Sequence, residues 1–401
     1  MNRMLAPILC AVALAGCSGG DEKDTAVPVA PACDERPIEL PTPRGEVGGA
    51  WDPVNDRMVL FGGDHGVPVS CAPQTDFVGD TWAFQPDCDN FVELKPADAP
   101  KRRGRHATAA DATRMIVHGG RSRQGTSGDY DVYDDTWSFD FATDTWSELD
   151  APGGPSARSN HVSVIVGSKL YIYGGNASDD GLAFTPLGDT WMLDLDTLAW
   201  TELTTSNTPP DRLFHAGATD GAFLYVYAGG DENAFFGPFF DDLWALDLAS
   251  LEWTELSDGA EGPEGRIWPA LAHDAALGRL VMFGGHDDQE LGNHNELWAF
   301  DLGTKAWDRV HKGDTANAPA NGQCDFPEDF TNIDLESPER RNGFAYALSP
   351  AGDLYVFGGK TDCGLINDMW ALTGDTWTSR VRATAGESCQ RAYEDCSSLC
   401  F

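Results

Sequence analysis

The chain is short of basic residues. Its 401 residues carry 27 Lys and Arg against 64 Asp and Glu, a formal net charge of −37 at pH 7. Such an excess argues against nucleic acid as a partner and against electrostatic docking on anionic lipid. Long apolar runs are also missing: Met4 to Leu14 is too short to span a bilayer as a mature helix. No cysteines stand at CxxC spacing, so no zinc site is written into the chain. There is no Ser–His–Asp order, no phosphate-cradling glycine loop and no HExxH motif. Regular EF-hand spacing is absent too.

What the chain has is repetition. Double glycines stand at Gly62-Gly63, Gly119-Gly120, Gly174-Gly175, Gly229-Gly230, Gly284-Gly285 and Gly358-Gly359. Acid-x-Trp triplets follow each one: Asp80/Trp82, Asp135/Trp137, Asp189/Trp191, Asp242/Trp244, Glu296/Trp298 and Asp368/Trp370. A second aromatic comes after each triplet, at Phe91, Trp146, Trp200, Trp253, Trp307 and Trp377. Between Gly, Pro and Asp clusters, each repeat reads as four short alternating or apolar strands. One such sheet cannot bury both faces, and six packed radially around an axis can. The pattern predicts an all-β, six-bladed propeller over residues 36–381, four antiparallel strands per blade. Each acid-x-Trp tryptophan is expected on a third strand, buried between blades.

The double glycine, the x-Trp and the later Trp resemble kelch repeats, over roughly residues 44–381. The resemblance implies the propeller but not one function, because propellers host many. Among kelch enzymes, the copper-radical oxidases need two tyrosines, two histidines and a cysteine–tyrosine crosslink, and no comparable set stands here. A six-bladed sialic-acid mutarotase works by acid–base chemistry at the axis. Asp64, Arg121, Asp231 and His286 could imitate that arrangement, though only repeat positions match.

Residues 1–17 read as a targeting segment, with Arg3 before the apolar run. Leu14-Ala15-Gly16-Cys17 resembles the bacterial lipobox, which implies cleavage before Cys17 and acylation of its thiol. Ser18 in place of Asp implies the outer membrane or cell surface. Residues 18–35 would be a flexible tether, and 382–401 a Cys-rich tail. Setting aside Cys10 and Cys17, eight cysteines remain, an even number that suits disulfides in an oxidising compartment.

In a four-stranded blade, the loop after the double glycine and the connection between blades share one face, here called the top. Cys324, on the long connection entering the sixth blade, and Cys363 both belong there, and a bridge between them is expected. Cys88 falls at the bottom, with Cys33 as a neighbour to consider. Ile38-Glu39-Leu40 resembles an outer-strand ending, so residues 36–41 are expected to pair in or beside the sixth blade.

An arginine opens the repeats: Arg44, Arg103, Arg158, Arg212, Arg266 and Arg341. His106, His161 and His215 follow three of them at the third place. Recurrence at one repeat position points to structure, with Arg and His bonding buried loop carbonyls. The residues after the double glycines differ from blade to blade and are all polar: Asp64, Arg121, Asn176, Asp231, His286 and Lys360. They are the expected ligand-contacting ring at the top of the axis. Phe236 and Phe239 lie in a Phe-rich top loop that is either a buried lid or an exposed contact patch. Acids at Asp129, Asp131, Asp134, Asp287 and Asp288 are compatible with calcium without specifying it. No other cofactor is implied. The leading expectation is a monomeric, lipid-anchored, non-catalytic scaffold binding a protein or glycan through its top loops. The alternative is a carbohydrate-active enzyme at the mouth of the axial channel.

Overall fold

Each sequence repeat folds as one antiparallel sheet. The computed structural model describes residues 33, 39–66, 74–125, 127–233, 236–287, 292–316, 331–332, 334–361 and 364–384. Blade 1 consists of Gly48–Asp52, Arg57–Phe61, Thr81–Gln85 and Asn90–Leu94. Blade 2 follows with Ala107–Ala110, Arg114–His118, Thr136–Asp140 and Thr145–Glu148. Blade 3 is Val162–Val166, Lys169–Asn176, Pro186–Asp194 and Ala199–Leu203. Blade 4 is Ala216–Thr219, Phe223–Tyr227, Leu243–Asp247 and Glu252–Ser257. Blade 5 is Ala270–Asp274, Arg279–Phe283, Leu297–Asp301 and Ala306–His311. Blade 6 is Ala345–Leu348, Leu354–Thr361, Gly364–Thr373 and Thr376–Val381. Within every blade the strands pair in sequence order, and the first strands of neighbouring blades meet around the axis. The six-bladed propeller is therefore present as expected.

The tryptophan expectation needs correction. The acid-x-Trp residues do lie on third strands, but Trp137, Trp191, Trp244, Trp298 and Trp370 are only half-buried. Each indole Nε1 donates to the acid two residues before it, as Trp191 does to Asp189 Oδ2 at 2.7 Å. The seams between blades are closed by the second aromatic instead. Trp146 packs on Phe61, Trp200 on His118, Trp253 on Tyr173, Trp307 on Tyr227 and Trp377 on Phe283. Phe91 of blade 1 meets Phe357 of blade 6 at 5.2 Å, which completes the circle. Outer-strand aromatics reach back to the preceding blade's second strand, and burial there removes large apolar area from water.

Closure differs from expectation as well. Glu39 bridges Phe91 on the outer strand of blade 1, whereas Thr376–Val381 completes the sixth sheet. Residues 36–38 lie outside the described residues. The N-terminal segment also lies beside blade 6: Asn367 Nδ2, on the third strand of that blade, donates to Pro41 O at 2.9 Å, Arg44 N donates to Ile366 O at 3.3 Å, and Leu40 packs against a cluster that includes Phe357 and Met369.

The repeat arginines are fully buried and do more than bond carbonyls. Arg158 Nε donates to Ser156 O, and Nη1 donates to Gly174 O at 3.0 Å. Its two terminal nitrogens also hold Asp189 Oδ1 and Oδ2 at 2.7 and 2.8 Å. The same fork joins Arg44 to Asp80, Arg103 to Asp135, Arg212 to Asp242 and Arg341 to Asp368, and Arg266 contacts Glu296 singly. Bidentate pairing fixes the angle as well as the distance. The acid of acid-x-Trp is thus the partner of the arginine that opens its blade.

The histidines follow the carbonyl expectation only in part. His215 Nε2 stands 3.2 Å from Tyr173 O. His161 Nε2 instead meets His118 Nδ1 at 3.0 Å, and both His106 nitrogens lack a partner among the described residues.

One repeat is out of register with its own sequence. Arg212 Nη1 donates to Ala228 O, and Leu213 bridges Gly230. The pair equivalent to Gly174-Gly175 is therefore Ala228-Gly229, one residue earlier than the double glycine. Gly175 has φ 103°, and a Cβ there would lie 2.8 Å from Ser159 O, so glycine is required. Ala228 accepts φ 62°, a left-handed conformation that costs an L-residue about 1–2 kcal/mol.

Candidate functional site

Two residues after each repeat arginine the backbone turns left-handed. Glu46, Arg105, Asn160, Phe214, Trp268 and Gly343 have φ between 51° and 61°. They form a chain of backbone bonds around the axis. Glu46 N donates to Gly343 O, Arg105 N to Glu46 O, Asn160 N to Arg105 O, Phe214 N to Asn160 O and Trp268 N to Phe214 O. Sequence reasoning missed this ring. The signal for it was a variable residue at a fixed offset from a constant arginine.

The ring separates two cavities. Below it lies one of about 220 Å³, lined by His106, His161, His215, Ser163 and Tyr346 among others. Burial, then neighbouring arginine charge, pushes His106 down to about 3, and burial brings His118 and His215 to about 3 as well. All three rings are neutral near pH 7, and His106 and His215 stand in the cavity wall.

Above the ring, at the top of the axis, lies a cavity of about 240 Å³. Four of the six expected ring residues, Asp64, Arg121, His286 and Lys360, line it together with Glu46 and Arg105. Glu46 Oε1 accepts from Arg105 Nη2 at 2.8 Å and from Lys360 Nζ at 2.6 Å. Burial alone would raise the Glu46 carboxyl, yet Arg105 and Lys360 hold it well below the usual range. Asp64 moves the other way, raised by burial and by the Glu46 charge. Burial, with Arg105 nearby, lowers Arg121 to about 10. The guanidinium of Arg105 lies 4.9 Å from the Trp268 ring centre and that of Arg121 lies 4.0 Å from Tyr130. Phe77, Phe184 and Leu182 add apolar wall.

The other expected residues are not brought here. Asn176 is spent on its own loop, donating to Ala183 O and accepting from Thr185 N. Asp231 is displaced by the register of its blade: Gly230 takes the ring position, and Asp231 Oδ1 caps Asn233 N. The choice between lid and patch divides within one loop. Phe236 is 74% exposed, whereas Phe239 packs against Leu213, Phe214 and Ile267. Asp129, Asp131 and Asp134 are exposed. Asp287 is buried, beside His294 at 3.0 Å, which with its hydrogen bonds holds it below the usual range against burial. Among the described residues these acids do not converge into a three-ligand group. Asp288, Cys17, Cys324 and Cys363 lie outside the described residues, and Cys33 and Cys88 are each disulfide-bonded.

The blade architecture and the Gly, Arg and Trp positions define a propeller of kelch type. The KLHDC2/KLHL20/DRC7 Kelch-repeats domain model matches residues 34–210 and 209–326, and the chain belongs to the Kelch-repeat family. It is 33% identical to Adagio-like protein 1 of Oryza sativa subsp. japonica over 265 residues, 60% of this chain and 40% of that protein. It is 28% identical to Kelch domain-containing protein 3 of Rattus norvegicus over 254 residues, 61% of this chain and 63% of that protein. A match to the Leucine-zipper-like transcriptional regulator 1 homolog of Drosophila melanogaster, 28% identical over 309 residues, covers 74% of this chain and 28% of that protein. The chain thus spans less than two thirds of the length of each of these relatives.

Proposed function

We propose that this propeller is a non-catalytic binding scaffold, held at the cell envelope by lipid on Cys17, that takes a protein partner on its top face. Kelch propellers generally bind protein partners, which is consistent with this reading. The observation that carries it is the inequality of the two faces. Bottom hairpins repeat one device: Asp140, Asp194, Asp247 and Asp301 each accept from backbone N–H groups two and three residues on. Top loops differ from blade to blade and expose Phe236 at 74%, Leu335 at 81% and Leu182 at 49%. The exposed apolar residues of the bottom, Val54 and Leu277, sit singly on hairpins of blades 1 and 5. Exposed aromatic and aliphatic anchors above a polar cavity suit a partner interface.

The test is capture from envelope extract by the full chain, with bound proteins compared between variants. Phe236→Ala with Leu335→Ala should lose a partner that Asp196→Ala retains. The opposite result would place docking on the bottom. Phe239 is left intact because it supports Phe214.

A second reading, acid–base catalysis on a sugar, has one observation in its favour. Asp64 and Glu46 share the upper cavity with carboxyls pushed in opposite directions, as in an acid-and-base pair. It requires that a bound sugar be cleaved or change its anomeric ratio, followed by NMR. A sugar bound and unchanged would leave the scaffold reading standing.

A further inference from the structure

We propose that the lower axial cavity is a binding site for a neutral nitrogen heterocycle of nucleobase size, entered from the bottom of the propeller. It lies across the ring from Asp64, Arg121 and Lys360, which line the upper cavity and not this one. It does not depend on the docking reading.

Shared walls set the way in. Gly49, Thr108 and Tyr346 line the cavity of about 220 Å³ and also an open groove of about 480 Å³. Pro53, Asp111 and Pro350, on the bottom turns of blades 1, 2 and 6, mark that groove as the lower mouth of the axis.

Unspent hydrogen-bonding capacity gives the first reason. His215 Nε2 stands 3.2 Å from Tyr173 O, and a carbonyl only accepts, so this nitrogen carries the ring proton. Nδ1 of the neutral ring is then an acceptor, and it has no partner among the described residues. Asn160 Nδ2 donates to Ser159 Oγ at 3.0 Å, while Asn160 Oδ1 and Ser163 Oγ have no partner among the described residues. His215 and Asn160 are each 6% exposed, and all three residues line the cavity. Buried polar atoms left unpaired are costly and rare. Two fixed acceptors call for a ligand that brings N–H donors, and the serine hydroxyl can donate to a ring nitrogen.

Charge is the second reason. Burial, then the charge of Arg103 and Arg212, keeps His106 and His215 unprotonated. The field that disfavours an imidazolium also disfavours a cationic ligand, and fixed acceptors disfavour an anion.

The walls decide the shape. Phe214, Trp268, Phe344 and Tyr346 place aromatic surface around the cavity, suited to a flat ring. A volume of about 220 Å³ is below the range of drug-sized sites and suits one or two fused rings. A sugar would turn several hydroxyls towards aromatic wall, a cost that a base with few polar edges avoids.

Titration calorimetry of the full chain near pH 7 with adenine, glucose, toluene and adenosine monophosphate tests the assignment. Adenine should bind saturably, with the other three at least about tenfold weaker. Ser163→Ala should weaken adenine about three- to tenfold, and so should Asn160→Gly, which tolerates the left-handed backbone at φ 59°. Asp196→Ala, on a bottom hairpin of blade 3, should leave adenine binding unchanged. If Asn160→Gly does not fold, Ser163→Ala alone carries the comparison. Toluene or the nucleotide binding as well as adenine, preference for glucose, or no binding of any probe would overturn the assignment. Loss of adenine binding in Arg121→Gln would put the ligand above the ring and overturn it too.

Discussion

The indole of Trp253 lies 4.8 Å from the ring of Tyr173, joining the outer strand of blade 4 to the second strand of blade 3. Trp253 is 1% exposed, whereas Trp191, on a third strand, is half-buried. Trp253→Ala should therefore cost about 3–5 kcal/mol as a large-to-small core change. Trp191→Ala should cost about 1–2 kcal/mol, with its bond to Asp189 included. Urea denaturation of both variants checks the difference, and equal costs would contradict the assignment of the seams.

Arg341 and Asp368 form the most deeply buried of the repeat ion pairs, with side chains 0% and 7% exposed. Arg341→Ala leaves Asp368 without its fork and should cost about 3–5 kcal/mol. Arg341→Lys should also destabilise, because one ammonium cannot hold two oxygens and Gly358 O together. A lysine variant as stable as wild type would show that charge alone matters at this position.

Stability should fall with acid in two stages. Burial holds His106, His118 and His215 far below their ordinary value of 6.5, at about 3. Below pH 6.5 the unfolded chain then binds protons that the folded chain does not, and stability declines as pH drops towards 3. For Asp80, Asp135 and Asp189, burial favours a raised value, and the paired arginines overcome it and lower the carboxyl. Their contribution is complete above the ordinary value of 3.8 and is lost below it. Urea midpoints at pH 8, 6.5 and 5 should decrease in that order, and His215→Gln should flatten the decrease. A midpoint that rises from pH 8 to 5 would refute the neutral assignment.

The proposed anchor makes a separate prediction. Cys17→Ser should shift the protein out of the membrane fraction and block cleavage before residue 17. Maturation of wild type that ignores globomycin would contradict acylation at Cys17.

Blade number, strand order and the burial of the six arginines were legible in the sequence, because each depends on local periodicity repeated six times. The ring positions Asp64, Arg121, His286 and Lys360 were legible for the same reason. Asp231 was not. Gly229-Gly230 matches the motif by eye, but the bridge from Leu213 to Gly230 sets the register, and a hydrogen-bond ladder counts residues rather than letters.

The sequence by itself determined a six-bladed kelch propeller with a polar, variable top. Tertiary structure alone decided which aromatic seals each seam, since burial of Trp146 or Trp253 depends on what the neighbouring blade presents. It alone paired each opening arginine with an acid some thirty residues later, as Arg158 with Asp189. It also gathered Glu46, Arg105, Trp268 and Lys360 at one point. These residues come from four different blades or their entries and share no sequence neighbourhood. Only closure of the ring around the axis brings Lys360 within 2.6 Å of Glu46.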